Sequence, residues 1–192
     1  MCAGIRDAAN LAWKLALVCT GRAEDALLDT YQIERHPHVQ AYIEGAVASG
    51  QVIQMRDPAQ LAERVRDMRA HPKQYAPPNP ALGPGLATSY GLGPLGRQVA
   101  QPHLDGQLLD AHLGHGFALL FRAGVFNTAA LDQLAAAYPA LKMVGLPQEQ
   151  ADLLACPQAG ALLVRPDRYL HAEADTAAQC HAMLASLPIA WR

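Results

Sequence analysis

A stretch rich in proline and glycine, His71 to Pro102, divides this 192-residue chain into two parts with different hydrophobic periods. Pro72, Pro77, Pro78, Pro80, Pro84, Pro94 and Pro102 remove backbone donors, and the interleaved glycines add chain entropy, so neither helix nor sheet can cross it easily. Before it, apolar residues recur every three or four positions, the period of a helix. After it, short apolar runs alternate with helical segments, the pattern of a sheet with crossovers. This arrangement predicts an α/β chain, α+β overall: a helical part over 1–70, a linker over 71–102, and an α/β unit over 103–192.

In the helical part, Ile5, Ala8, Ala12, Leu15 and Cys19 form one stripe at helical spacing and are expected to face a core. Asp7 is placed in the opening turn, where it meets the positive end of the helix dipole, and Gly21 is placed as the C-terminal cap. A second helical segment spans Ala23 to Ile53, and Pro37 predicts a kink or break near Arg35 and His36. Asp57 as N-cap and Pro58 at the first helical position open a third helix to about Ala70.

Beyond the linker, the run Leu104 to Leu113 reads as a strand or turn leading inward, and Phe117–Arg122 as a buried strand. Asn127 caps a helix over Thr128–Tyr138, and Leu141–Leu146 is a second strand. Ala161–Val164 and Tyr169–His171 form a hairpin around a Pro166-Asp167 turn, and Thr176–Leu187 is a closing helix.

Several candidate sites fail on physical grounds. Gly91-Leu92-Gly93-Pro94-Leu95-Gly96 matches the dinucleotide fingerprint, but coil precedes it and no helix can open before Pro102, so it reads as linker. His112 and His115 flank a glycine and lack a third ligand, so no metal site is expected. His36 and His38 flank Pro37 and are expected to face solvent or to cap the break there. Asp7 and Asn10 are read as caps and helix–sheet contacts, and no catalytic constellation follows from spacing. Cys2, Cys19, Cys156 and Cys180 form no C-x-x-C pair, which suits free thiols in a cytoplasmic protein. A net charge of −2 with 17% charged residues gives no basic face for nucleic acid, and no stretch is long enough for a membrane span. Asp7 and Lys14 in and before the apolar run argue against a signal peptide.

The wording of three stretches goes further. Met1-Cys2-Ala3-Gly4-Ile5-Arg6-Asp7-Ala8-Ala9-Asn10-Leu11-Ala12-Trp13-Lys14-Leu15 resembles a flavin-domain helix of FAD-dependent aromatic-ring hydroxylases, with Gly, Asp, Asn, Trp and Lys in register. Tyr31 and Glu34-Arg35-His36-Pro37 resemble the Tyr-x-x-Glu-Arg-x-Pro segment that follows it. Gly96-Arg97, Gln101-Pro102, Leu108-Leu109-Asp110, Gly116–Leu120 and Val164-Arg165-Pro166-Asp167-Arg168-Tyr169 resemble phrases of the thioredoxin-like domain, without redox cysteines, that ends many of these enzymes. Together these phrases resemble the subfamily of 3-(3-hydroxyphenyl)propionate-type hydroxylases.

The resemblance implies FAD as cofactor, NAD(P)H as co-substrate and an aromatic small molecule as substrate. It implies cofactor-binding roles for Met1, Cys2 and Gly4, whose backbone amides would face the flavin ring. The family's nucleotide-binding unit and substrate sheet would lie upstream, so the chain is expected to be a C-terminal portion, inactive alone. A stand-alone, non-catalytic thioredoxin-like dimerisation or interaction module is the other reading. Either way, Leu11, Leu15, Leu27, Leu28, Ile43 and Val47 need cover, and self-association through residues 1–70, or disorder there, is the expectation.

Overall fold

The computed structural model describes residues 2–72, 79–87, 95–152 and 159–191. Three helices come first: α1 (Cys2–Cys19), α2 (Ala26–Ile53) and α3 (Pro58–Ala70). Gly21 closes α1 with φ +66°, while Gly21 N donates to Val18 O at 2.9 Å and Arg22 N to Leu17 O at 2.8 Å. That pair of bonds is a Schellman cap, and it requires the left-handed backbone that glycine adopts freely. Asp57 caps α3 by accepting from Ala59 N at 2.9 Å, with Pro58 at the first helical position.

Three expectations for the helical part are corrected. The stripe Ile5, Ala8, Ala12, Leu15 and Cys19 lies on the exposed side of α1, with Ile5 66% and Leu15 40% accessible. The buried side instead carries Asn10, Trp13 and Lys14. Polar partners waiting on α2 and the sheet invert the simple apolar-inside rule. Asp7 lies past the first turn, because the helix already runs from Cys2, and its carboxylate pairs with Arg35 rather than with helix amides. Finally, α2 runs unbroken through Pro37. The carbonyl of Ile33, which Pro37 cannot satisfy, lies against the backbone of Gly83, and Gly83 N donates to Glu34 O at 2.9 Å.

The remainder is a mixed four-stranded sheet in the order β4-β3-β5-β6, built from β3 (Ala118–Arg122), β4 (Lys142–Leu146), β5 (Ala161–Val164) and β6 (Leu170–Ala174). Parallel pairing of β3 with β4, from Ala118↔Lys142 to Arg122↔Leu146, needs a crossover, which α5 (Thr128–Ala137) supplies. Asn127 caps α5 through Ala130 N at 2.8 Å. β5 pairs antiparallel with both β3 and β6. α7 (Ala177–Ala185) follows β6, opened by a capping box between Thr176 and Gln179. A short hairpin of β1 (His103–Leu104) and β2 (Gln107–Leu108) precedes α4 (Asp110–Leu113); it turns through Asp105 and Gly106, both at positive φ. The remaining helix, α6 (Gln148–Asp152), follows β4.

Strand alternation splits the core between the two faces of the sheet. Ala118, Leu120, Val144, Leu162 and Val164 pack with Leu104, Leu109 and Leu113 on one face. Leu119, Leu163 and Ala174 pack with Leu134 of α5 and with Cys180 and Leu184 of α7 on the other, joined there by Trp13 of α1 and Leu27 of α2. The proline- and glycine-rich stretch, expected as a linker, is packed where it is described. Leu82 and Val99 are buried, and Gly96 N donates to Leu170 O at 2.6 Å while Leu170 N donates to Arg97 O at 2.9 Å. Of the fingerprint-like Gly91–Gly96 run, residues 91–94 lie outside the described residues.

Gly83 and Gly4 give opposite expectations on substitution. A Cβ at Gly83 would meet the Ile33 carbonyl oxygen and Pro37 Cγ, whereas one at Gly4 meets nothing within 4 Å. Gly83→Ala is expected to cost about 1–3 kcal/mol through overpacking. Gly4→Ala should be neutral or stabilise by up to about 1 kcal/mol, as helix propensity favours alanine. Urea midpoints at constant slope measure both; equal midpoints for the two variants would contradict this packing.

Candidate functional site

The three recognisable phrases of the sequence meet in one buried junction. Glu34, at 0% exposure in the first third of α2, is its centre. Lys14 of α1 donates to Glu34 Oε2 at 2.8 Å, and Asn10, one turn earlier, donates to the same oxygen at 3.0 Å. Arg165, just after β5, forks across the carboxylate, with Nη1 to Oε1 at 2.8 Å and Nη2 to Oε2 at 2.7 Å. The backbone N–H of Leu86 adds a further donor to Oε1 at 3.1 Å. Gly85 passes so close to the Glu34 side chain that a Cβ there would collide with it.

Asp167 completes the balance. It accepts from Arg165 Nε at 3.0 Å and Nη2 at 2.8 Å, and from Asn10 at 2.8 Å. Two cations, Lys14 and Arg165, thus face two anions, Glu34 and Asp167, with Asn10 bridging the carboxylates. Trp13 covers the cluster: Arg165 Cζ lies 5.4 Å and Lys14 Nζ 5.7 Å from its ring centroid, and Phe117 meets it edge-on at 5.3 Å. Burial alone would push the Glu34 carboxyl up, but hydrogen bonds and charge from Arg165, with Lys14 and Asn10, hold it down at about 2. Burial lowers Lys14 against the opposing pull of Glu34.

A second cluster adjoins it on α2. Arg35, 3% exposed, donates through Nε to Asp7 Oδ1 at 2.8 Å and through Nη1 to His38 Nδ1 at 3.0 Å. With Nδ1 accepting, the proton of a neutral His38 sits on Nε2, which donates to the Tyr169 hydroxyl at 3.0 Å. Burial, with the nearby charge of Arg35, holds His38 down at about 4. His171 is likewise lowered to about 4, by burial and then by Arg165.

The structure places the sequence candidates unevenly. Met1 lies outside the described residues, as does Cys156, and Cys2 opens α1. Gly4 is exposed, with open space where a side chain would point, and no acidic residue occupies the first turn of α1. The first backbone N–H groups of a helix have no acceptor within it, and the open space at Gly4 leaves room beside them. Asn10 makes inter-element contacts, as read; Asp7 does so through Arg35. His36 is exposed as expected, but His38 is buried, because the helix continues through Pro37 and turns that position inward. His112 donates through Nε2 to Leu104 O at 3.0 Å. Sequence reasoning did not assign Lys14, Glu34, Arg165 or Asp167. Their trace was there: charged residues inside otherwise apolar helical or strand-flanking segments, each within a recognisable phrase.

Comparison with known proteins agrees with this geometry. The model of the FAD binding domain family matches residues 1–46, the stretch that carries α1 and the first three quarters of α2. A probable NADH-specific resorcinol 4-hydroxylase of Rhodococcus jostii is 48% identical over 95 residues, covering 47% of this chain and 18% of that protein. A 3-(3-hydroxy-phenyl)propionate/3-hydroxycinnamic acid hydroxylase of Klebsiella pneumoniae is 36% identical over 137 residues, covering 61% of this chain and 24% of that one. A solved structure of RebC-10x, soaked with chromopyrrolic acid and holding 7-carboxy-K252c, shares the fold over 91% of this chain and 38% of its own, with TM-score 0.70 and 22% identity. Residues 1–46 are thus similar to the FAD binding domain family, and the chain is similar over about half its length or more to these two hydroxylases. It spans about a fifth to a quarter of the length of these curated relatives.

The junction makes stability depend on pH in two stages. Between 6.5 and about 4 the unfolded chain takes up protons that buried His38 and His171 refuse, so native stability falls as pH drops, by an order of 3 kcal/mol for each group. Between 4.5 and about 2 the stabilisation from ionised Glu34 is lost in turn. Urea midpoints from pH 7.5 to 3 should show both declines, and His38→Gln with His171→Gln should flatten the first. A midpoint unchanged from pH 7 to 5 would contradict the burial of these imidazoles.

Proposed function

We propose that the chain is the C-terminal portion of an FAD-dependent, NAD(P)H-using monooxygenase that hydroxylates phenolic or other aromatic substrates, and that it is inactive alone. One observation supports this most directly: the FAD binding domain family matches residues 1–46, which carry α1 and most of α2. When bound, FAD would supply the redox chemistry, taking reducing equivalents from NAD(P)H and activating oxygen. The chain's own part is to offer the amides of Met1, Cys2 and Gly4 to the ring and to hold α1 in place. Residues 103–192 are read as a thioredoxin-like unit, supported by the β4-β3-β5-β6 order, the α5 crossover and α7 after the β5–β6 hairpin. Residues 1–70 are the helical end of the flavin domain and 71–102 connect the two. A cytoplasmic setting, in which Cys19 and Cys180 stay free thiols, belongs to the same reading; among the described residues no helix is long and apolar enough to cross a membrane.

A specific observation supports a second reading. Ile5, Leu15, Ile33, Ile43, Val47 and Ile53 are exposed on α1 and α2. Such a surface suits a non-catalytic interaction module that associates with itself through residues 1–70.

Two measurements separate these readings. Residues 1–46, exchanged for the matching segment of a 3-(3-hydroxyphenyl)propionate hydroxylase, should leave the chimera yellow on purification; a folded chimera without flavin would overturn the flavin reading. Light scattering behind size exclusion should show the 192-residue chain as a dimer or larger. A well-ordered monomer would remove self-association from the proposal.

A further inference from the structure

We propose that Arg165 is a positioning residue for the flavin-facing end of α1, so that the C-terminal sheet sets where that helix begins. The inference rests on the reading that α1 opens onto a flavin. α1 is fixed to its surroundings by three polar pins on one side. Asn10 and Lys14, one turn apart, grip the Glu34 and Asp167 carboxylates, and Asp7 grips Arg35. Both carboxylates gripped by Asn10 and Lys14 are themselves oriented by one guanidinium, that of Arg165.

The opposite side of α1 carries no comparable pins, since Gly4, Ile5, Ala8, Ala12 and Leu15 are all exposed. Arg6 rests over the Tyr42 ring at 4.9 Å, and beyond Asp7 the described residues of the helix start have no further hydrogen-bonded pin. From Asp7 to Cys2 the rise is about 7.5 Å, so a tilt of about 10° would move the opening amides by about 1.3 Å. Hydrogen bonds to a flavin edge tolerate far less than that.

Arg165 suits this role for reasons of shape. Its fork reaches the two carboxylates in one plane, and a Lys point charge cannot reproduce that geometry. The residue stands where β5 ends, on the strand that pairs with both β3 and β6, so the pins on α1 are referred to the middle of the sheet. Trp13 and Leu27 give the two helices an apolar seat on the same sheet, but an apolar contact has no direction and does not fix a tilt.

The test is amide hydrogen exchange of the full chain, comparing the wild type with Arg165→Gln, Arg165→Lys and Asp167→Asn. Asp167→Asn keeps the side-chain volume and serves if the arginine variants do not fold. The informative amides are those of Arg6 to Trp13, which are bonded within α1, against those of β3 and α7. Selective acceleration of the α1 amides by at least tenfold, with β3 and α7 unchanged and no rescue by Arg165→Lys, is the expected result. Uniform acceleration in all three elements would assign Arg165 to general stability, and unchanged α1 amides would assign it no positioning role; either overturns the proposal. The measurement needs no flavin, so a chimera that fails to hold FAD would overturn the flavin reading while leaving this result to stand on its own.

Discussion

Glu34 is the constraint from which the arrangement of the helices follows. A carboxylate withdrawn fully from water carries a desolvation cost of several kcal/mol unless donors replace the lost hydration. Here five donors surround it, from Asn10, Lys14, Leu86 and the two terminal nitrogens of Arg165. They come from α1, the packed 79–87 stretch and the end of β5, so meeting the demand of one side chain brings three separate parts of the chain together. Removing either charged donor, Lys14 or Arg165, would leave the remaining charges buried without balance, which costs more than the intact cluster contributes.

This also accounts for the path of the proline- and glycine-rich segment. Pro37 leaves the Ile33 carbonyl without its helical donor, and the side of α2 beside it must be met by other backbone. Gly83 can approach because it lacks a Cβ, and Gly85 can pass the Glu34 side chain for the same reason. What composition marks as a connector is locally a backbone surface shaped to a helix. The proline that would ordinarily interrupt α2 is accommodated by the same contact.

Much of the fold was legible in the sequence, because caps and strand alternation are local. Asn127 and Asp57 cap the helices they were expected to cap, Gly21 ends α1, and the strands around Leu119, Val144 and Leu163 lie where their apolar runs put them. The face of α1 was not legible. Its stripe of Ile5, Ala8, Ala12 and Leu15 is a sound amphipathic pattern, yet it points outward, since the inward face is chosen by carboxylates on α2 and beyond β5. A hydrophobic count cannot register a partner distant in sequence. For the site, the phrases around Asn10, Glu34 and Arg165 were visible, but their meeting at one point was not; His38 was misplaced because the Pro37 break did not occur.

The separation between Glu34 and Arg165 has a consequence for how such a chain can vary. The two residues are 131 positions apart, yet the carboxylate and the guanidinium share two hydrogen bonds and no exposure to water. Charge balance in the cluster ties Lys14 and Asp167 to the same pair. A change that removes the charge of any one of the four leaves a net charge enclosed, and a compensating change elsewhere in the set restores neutrality. Physically, the helical start and the far end of the sheet share one charge balance, so a charge lost in one is felt as an unpaired charge in the other.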